Sequence, residues 1–234
     1  MKQYNGEKAI ISLTSWKKRI HNVGRTIFSL YKNCPGFHIV LVLAEDEFPQ
    51  KEKELPEVVN VLSNQNIIEI LWVKKNLKAL KKVLYTMQKY KTVPIISADD
   101  DCKYICNYAQ ELYDKWLKDK TKFVTVNSPH RWCTVGANTL FPPNCFGDNA
   151  VEEMENNKHL DMYQVADDAY YEMLRCKIYR DKNMIVSLPR HKIWDFGDEI
   201  QPLGKTYNRD GFLSRIRRCQ SEDCGLDVSR LFRR

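Results

Sequence analysis

The chain has 234 residues, 43% hydrophobic and 29% charged, a balance that excludes wholesale disorder and a length that can bury a core without staples. Lysine and arginine outnumber aspartate and glutamate by 37 to 30, a formal charge of +7. No run of about 18 apolar residues reads as a membrane span, and the polar start Met1–Lys8 does not read as a leader, so a cytoplasmic protein is expected.

In chain order, Ala9–Leu13 reads as a buried strand and Val23–Lys32 as the helix that follows it. Phe37–Leu43 and Ile67–Val73 are apolar runs of strand length. Leu77, Leu80, Leu84 and Met87 recur at helical spacing. Pro94–Ala98 is a strand, Tyr104–Lys118 a helix and Phe123–Val126 a strand. This alternation predicts an α/β fold with a mostly parallel central sheet flanked by helices. Phe141–Phe146 reads as a loop, Ala166–Arg175 as a helix opened by acids, and Ile185–Leu188 as a short strand. From about Trp194 glycine, proline and charge dominate, which predicts one domain over residues 1–200 and an irregular basic tail over 201–234.

The positive charge is concentrated. Residues 74–92 hold seven lysines and no acid, and residues 205–234 hold eight basic residues against four acids. Such patches suit a phosphate-rich ligand or an anionic surface. The eight cysteines read as reduced thiols, because the 102/106 and 219/224 spacings are wider than a zinc knuckle and no histidine pair completes them.

Asp99-Asp100-Asp101 follows a buried strand directly. Three adjacent carboxylates repel one another and persist at a strand end only where cations compensate. Alternation sends Asp99 and Asp101 to one side, a hard-oxygen pair suited to Mn2+ or Mg2+. Lys78, Lys82 and Lys89 fall opposite the leucine face of the upstream helix, with Lys81 at its buried edge. Asp167-Asp168 opens a later helix, where one acid compensates the dipole and the other is free for general-base work. No G-x-G-x-x-G, complete P-loop or G-x-S-x-G occurs, so phosphate must be handled by metal and side chains.

Five segments together resemble GT-A-fold bacterial glycosyltransferases of capsule and lipopolysaccharide synthesis. These are Ile11 to Trp16 with Arg19-Ile20, Asn76 to Tyr85, Ile95 to Tyr104, Gly136 to Pro143, and Ala166 to Asp168. The resemblance implies a Rossmann-like GT-A domain, a nucleotide-sugar donor of the UDP type and a divalent metal. It implies Thr14, Ser15 and Arg19 at the nucleotide, Asp99 and Asp100 at the donor, and Asp101 with Asp99 at the metal. Lys82, with Lys81 beside it, corresponds to the family's donor-side lysine, and Gly136 and Asn138 belong to the donor loop. Asp168 matches the base of inverting members, with Asp167 beside it. His191 is a further metal candidate, and His130, Arg131 and Trp132 are acceptor candidates. The expected acceptor is a saccharide or a lipid-linked glycan. The arginine-rich tail is expected to contact the anionic inner face of a membrane. This chain departs from the pattern at Cys102 and Lys103, and at Ala137-Asn138, where a second glycine is usual. Clustered acids and basic patches also fit a metal-dependent nuclease, but no nucleic-acid motif is present and none is expected as a partner.

Overall fold

The apolar runs of the first half have both faces buried, as strands of a parallel sheet covered on both sides must be. The computed structural model describes residues 3–126, 135–179, 185–187, 193–195 and 211–225. Its strands are β1 (Ile10–Thr14), β2 (His38–Ala44), β3 (Ile68–Val73), β4 (Ile95–Ser97), β5 (Cys102–Tyr104), β6 (Phe123–Thr125), β7 (Thr139–Phe141), β8 (Ile185–Ser187) and β9 (Ile193–Asp195). Its helices are α1 (Val23–Asn33), α2 (Glu57–Asn64), α3 (Lys81–Lys89), α4 (Tyr108–Leu117), α5 (Ala150–Glu155), α6 (Leu160–Tyr163), α7 (Asp167–Tyr179) and α8 (Phe212–Cys224). Seven strands form one sheet in the order β3-β2-β1-β4-β7-β6-β8, and β5 pairs with β9 apart from it. Every pairing in the large sheet is parallel except the two made by β7.

Alternation along β2 divides the core. Ile39, Leu41 and Leu43 pack in the layer of α1, α2 and α4, while Val40, Val42 and Ala44 pack in the layer of α3, α7 and α8. In β1 the polar Ser12 faces the second layer. Its hydroxyl donates to the Lys82 carbonyl at 2.5 Å and lies 2.8 Å from the Thr86 hydroxyl, which seats α3 on the sheet. At the opposite end of the strands a buried carboxylate, Glu69, accepts from Lys89 at 2.6 Å and Tyr90 at 2.5 Å and pairs with His38 at 2.7 Å. Burial pushes its carboxyl up, but these three partners overcome that and bring it to about 2. The carboxyl ends of β1, β2 and β4 lie at the other edge, where such sheets bind ligands.

The expected α/β fold is present, with differences that have local causes. Tyr104 belongs to a strand, and the helix expected from it begins at Tyr108, where the Asn107 side chain accepts from the Gln110 amide at 3.0 Å. The loop expected at 141–146 starts inside β7, a three-residue strand stopped by Pro142-Pro143. Lys82 falls opposite the leucines of its helix and is nonetheless buried, as Lys81 is. A short 3-10 turn with Lys78 in the left-handed region (φ 50°) precedes α3, and Lys81 and Lys82 open the helix. The stretch expected to be irregular contains α8, flanked by Gly211 and Gly225 at φ 75° and 65°, and α8 packs along α7. No helix among the described residues is long and apolar enough to cross a membrane.

Candidate active site at the strand ends

Chain geometry brings the acids together. β4 ends at Ser97, and the turn from Ala98 leads straight into β5. The Thr26 hydroxyl of α1 lies 2.8 Å from the Asp100 carbonyl and 2.9 Å from that of Cys102, pinning the turn against α1. Asp100 points inward, accepting from the Ser15 hydroxyl at 2.7 Å and pairing with Arg19 at 3.1 Å. Asp101 pairs with the same guanidinium. Asp99 turns the other way to Lys82 Nζ at 2.9 Å. Two cations thus separate three consecutive carboxylates.

Lys82 also meets Asp167 Oδ2 at 3.2 Å, joining the turn to the first residue of α7. Burial would push its amino group down, but Asp167 and Asp99 overcome this and hold it well above the usual lysine range. Lys81 behaves oppositely. Its amino group lies 3.1 Å from Asn76 Oδ1 and 3.4 Å from Glu47, and burial outweighs these partners and lowers it. Burial raises the Asp100 carboxyl to about 6, with Arg19 and Ser15 opposing. Burial of the carboxyl, then repulsion from Asp167, raises Asp168 to about 7, with Lys82 opposing.

Asp168 is seated by backbone. Its Oδ1 accepts from the Ala137 amide at 3.3 Å and presses on Gly136 so closely that a Cβ there would stand 1.8 Å away. The Gly136 carbonyl in turn accepts from the buried Ser97 hydroxyl at the end of β4. The same loop carries Asn138 in the left-handed region, φ 54°. Its side-chain oxygen accepts from the Tyr104 hydroxyl at 2.9 Å.

The structure therefore gathers Ser15, Arg19, Lys82, Asp99, Asp100, Asp101, Gly136, Asn138, Asp167 and Asp168 around the acidic turn at the strand ends. Thr14 spends its hydroxyl on the Val42 carbonyl at 2.7 Å, and Lys81 lies beside the group against Glu47. His130, Arg131, Trp132 and His191 lie outside the described residues. Sequence reasoning missed Thr26 and Tyr104, whose roles depend on pairing across the fold. Asp99, Asp101 and Cys102 offer ligand atoms within 4.8 Å of one another. Lys82 engages Oδ1 of Asp99 and Arg19 engages Oδ2 of Asp101, whose Oδ1 lies 3.7 Å from the Cys102 thiol. Two carboxylates fit a hard divalent cation; the thiol contributes a softer and less suitable donor.

No protein-family model matches the chain, and no curated protein matches it. Among solved structures, S. aureus TarS 1-349 in complex with UDP-GlcNAc superposes with a TM-score of 0.62 at 12% identity, over 92% of this chain and 66% of that one. TarS 1-349 in complex with UDP gives 0.58, over 92% and 65%. This chain thus spans just under two thirds of TarS 1-349. A cytidylyltransferase from Leptospira borgpetersenii gives 0.52 at 14% identity, over 79% and 76%. The fold is GT-A-like.

The seat of Asp168 can be tested directly. Gly136→Ala should lower Tm by about 5–10 °C, because the added methyl collides with a carboxylate packed against backbone. Adding Asp168→Ala should restore most of that loss in thermal unfolding. A double variant no more stable than Gly136→Ala alone would refute the contact.

Proposed function

We propose that this protein is a nucleotide-sugar glycosyltransferase, with a UDP-sugar as donor and a saccharide or lipid-linked glycan as acceptor. The observation that carries the reading is the joined acid system, Asp99 to Lys82 to Asp167 with Asp168 beside it, at the ligand-binding edge of a GT-A-like sheet. The likeness to TarS, solved with UDP and with UDP-GlcNAc, supports the choice of donor.

In this reading Ser15, Arg19 and Asp100 wall the nucleotide side, and Asp99 faces the donor. Asp99 and Asp101 would hold Mn2+ or Mg2+, which supplies a positive charge to stabilise the departing diphosphate. Lys82 neutralises Asp99 and Asp167 from below, so that an anionic donor meets less repulsion. Asp168 is the base. It takes the proton of the acceptor hydroxyl as that oxygen attacks the anomeric carbon, and the nucleotide diphosphate leaves from the opposite face, an inverting substitution. The cytidylyltransferase likeness favours nucleotidyl transfer as the second reading.

Calorimetric titration of UDP, GDP, CDP and CTP, with and without Mn2+, separates the two. Metal-dependent UDP binding, weakened about tenfold or more in Asp101→Ala, is expected. Preference for CTP with pyrophosphate release would favour nucleotidyl transfer, and no nucleotide binding at all would refute both.

A base must be ionised to accept a proton, and the Asp168 carboxyl is raised to about 7. Activity should therefore rise with pH through about 7 and fall below it, and Asp168→Asn should cost at least about 100-fold in kcat. Asp168→Asn retaining near wild-type kcat would remove it from the role.

Contact with an anionic membrane belongs to the same proposal. Arg215, Arg217 and Arg218 lie on the exposed face of α8. Sedimentation with phosphatidylglycerol vesicles should be lost when these three are changed to glutamate; unchanged sedimentation would reject the contact.

A further inference from the structure

Tyr104 is fully buried, yet its hydroxyl is used on both sides. It donates to Asn138 Oδ1 at 2.9 Å and accepts from the Asp99 amide at 3.0 Å. Those two partners belong to the two halves of the site. The Asp99 side chain reaches Lys82, and Asn138 directly follows Ala137, whose amide holds Asp168. Asn138 is itself buried and holds a left-handed backbone at φ 54°, a conformation that persists only where the surroundings over-determine it. The Tyr104 ring is fixed independently. It stacks on Tyr108 at 4.5 Å between centroids, and its own amide donates to the Ser29 hydroxyl of α1 at 3.1 Å. A rigid ring therefore presents one oxygen between the acidic turn and the loop that seats Asp168.

We propose that the Tyr104 hydroxyl is a positioning group that fixes the distance between the donor-side acid Asp99 and the acceptor-side acid Asp168. The inference rests on the glycosyltransferase reading for its catalytic consequence, but the coupling of the two segments stands apart from it. Reacting groups gain from being held within a fraction of an ångström, so loosening either segment lowers turnover more than binding. Removing the hydroxyl leaves the Asp99 amide without its acceptor and the Asn138 oxygen without its donor, at almost no change in volume.

The test uses the full chain with Tyr104→Phe and Asn138→Gly. The second variant removes Tyr104's partner while tolerating the left-handed backbone. Amide hydrogen exchange is read first. Residues 98–101 and 136–138 should both exchange about tenfold faster in each variant, with β1 and β2 unchanged. Steady-state kinetics with UDP-GlcNAc follow. kcat should fall about tenfold while KM for the donor stays within about twofold. Exchange that stays at the wild-type rate in either segment would overturn the coupling, whatever the activity. Faster exchange with unchanged kcat in an active wild type would overturn the catalytic consequence. A wild type that binds no nucleotide would defeat the functional reading, while the exchange result would still decide the coupling.

Discussion

Three consecutive carboxylates at the end of a buried strand form an arrangement that no fold tolerates without cations between them. Here Lys82 and Arg19 are those cations, one on each side of the Asp99–Asp101 turn. Their positions constrain much of the molecule. Lys82 can reach Asp99 only because α3 starts against the end of β4, and α3 is held there by the Ser12 and Thr86 hydroxyls at its back. Arg19 can span Asp100 and Asp101 only because the chain after β1 turns over the strand ends before α1 begins. Unpairing either cation would leave a buried charge, the costliest single error available to this site.

The compensation is incomplete, and that incompleteness is informative. Five carboxylates share these two cations, since Asp167 and Asp168 join the set through α7. Lys81 stands close enough to feel Asp100 but is itself taken up by Glu47. Burial first, and then repulsion from neighbouring acids, raises the carboxyls of Asp100 and Asp168 to about 6 and about 7, so protons are held most tightly there. A site with this deficit attracts a further cation or a proton. Asp99 and Asp101 suit the first, and Asp168, seated on backbone, suits the second. The proposed metal site and the proposed base thus draw on different members of one crowded set of carboxylates.

Much of this was legible in the sequence. The βαβα alternation came from long apolar runs, and such runs report burial on both faces whatever the tertiary detail. Asp99–Asp101, Lys82 and Asp167-Asp168 were visible because charge at a strand end or helix start has few structural excuses. Short elements without a long apolar run were not legible. β5, β7 and α5 hold too few residues for an alternation or a helical spacing to declare itself. The helix wheel sets Lys82 opposite the leucines, and it is buried there because Asp99 from the strand end and Asp167 from α7 meet its amino group, contacts that no periodicity records. Tyr104 carried no signal. A tyrosine at a strand position reads as core, and only the arrival of Asn138 from a loop 34 residues later gives its hydroxyl a task.

Asn138 also resolves the chain's departure from the family it resembles. A second glycine is usual in that loop, and glycine serves where φ must be positive. Asparagine is among the few other residues that accept this region, at a cost of order 1 kcal/mol. The structure places Asn138 there, at φ 54°, and gives its amide oxygen the Tyr104 hydroxyl. The backbone shape that glycine would supply is therefore kept, and a buried hydrogen bond is added that glycine could not make. Glycine at 136 has no such substitute, because the obstacle there is the Asp168 carboxylate rather than the backbone angle. The two positions of one loop thus obey different constraints. At 138 the side chain must reach a partner, and at 136 it must not exist.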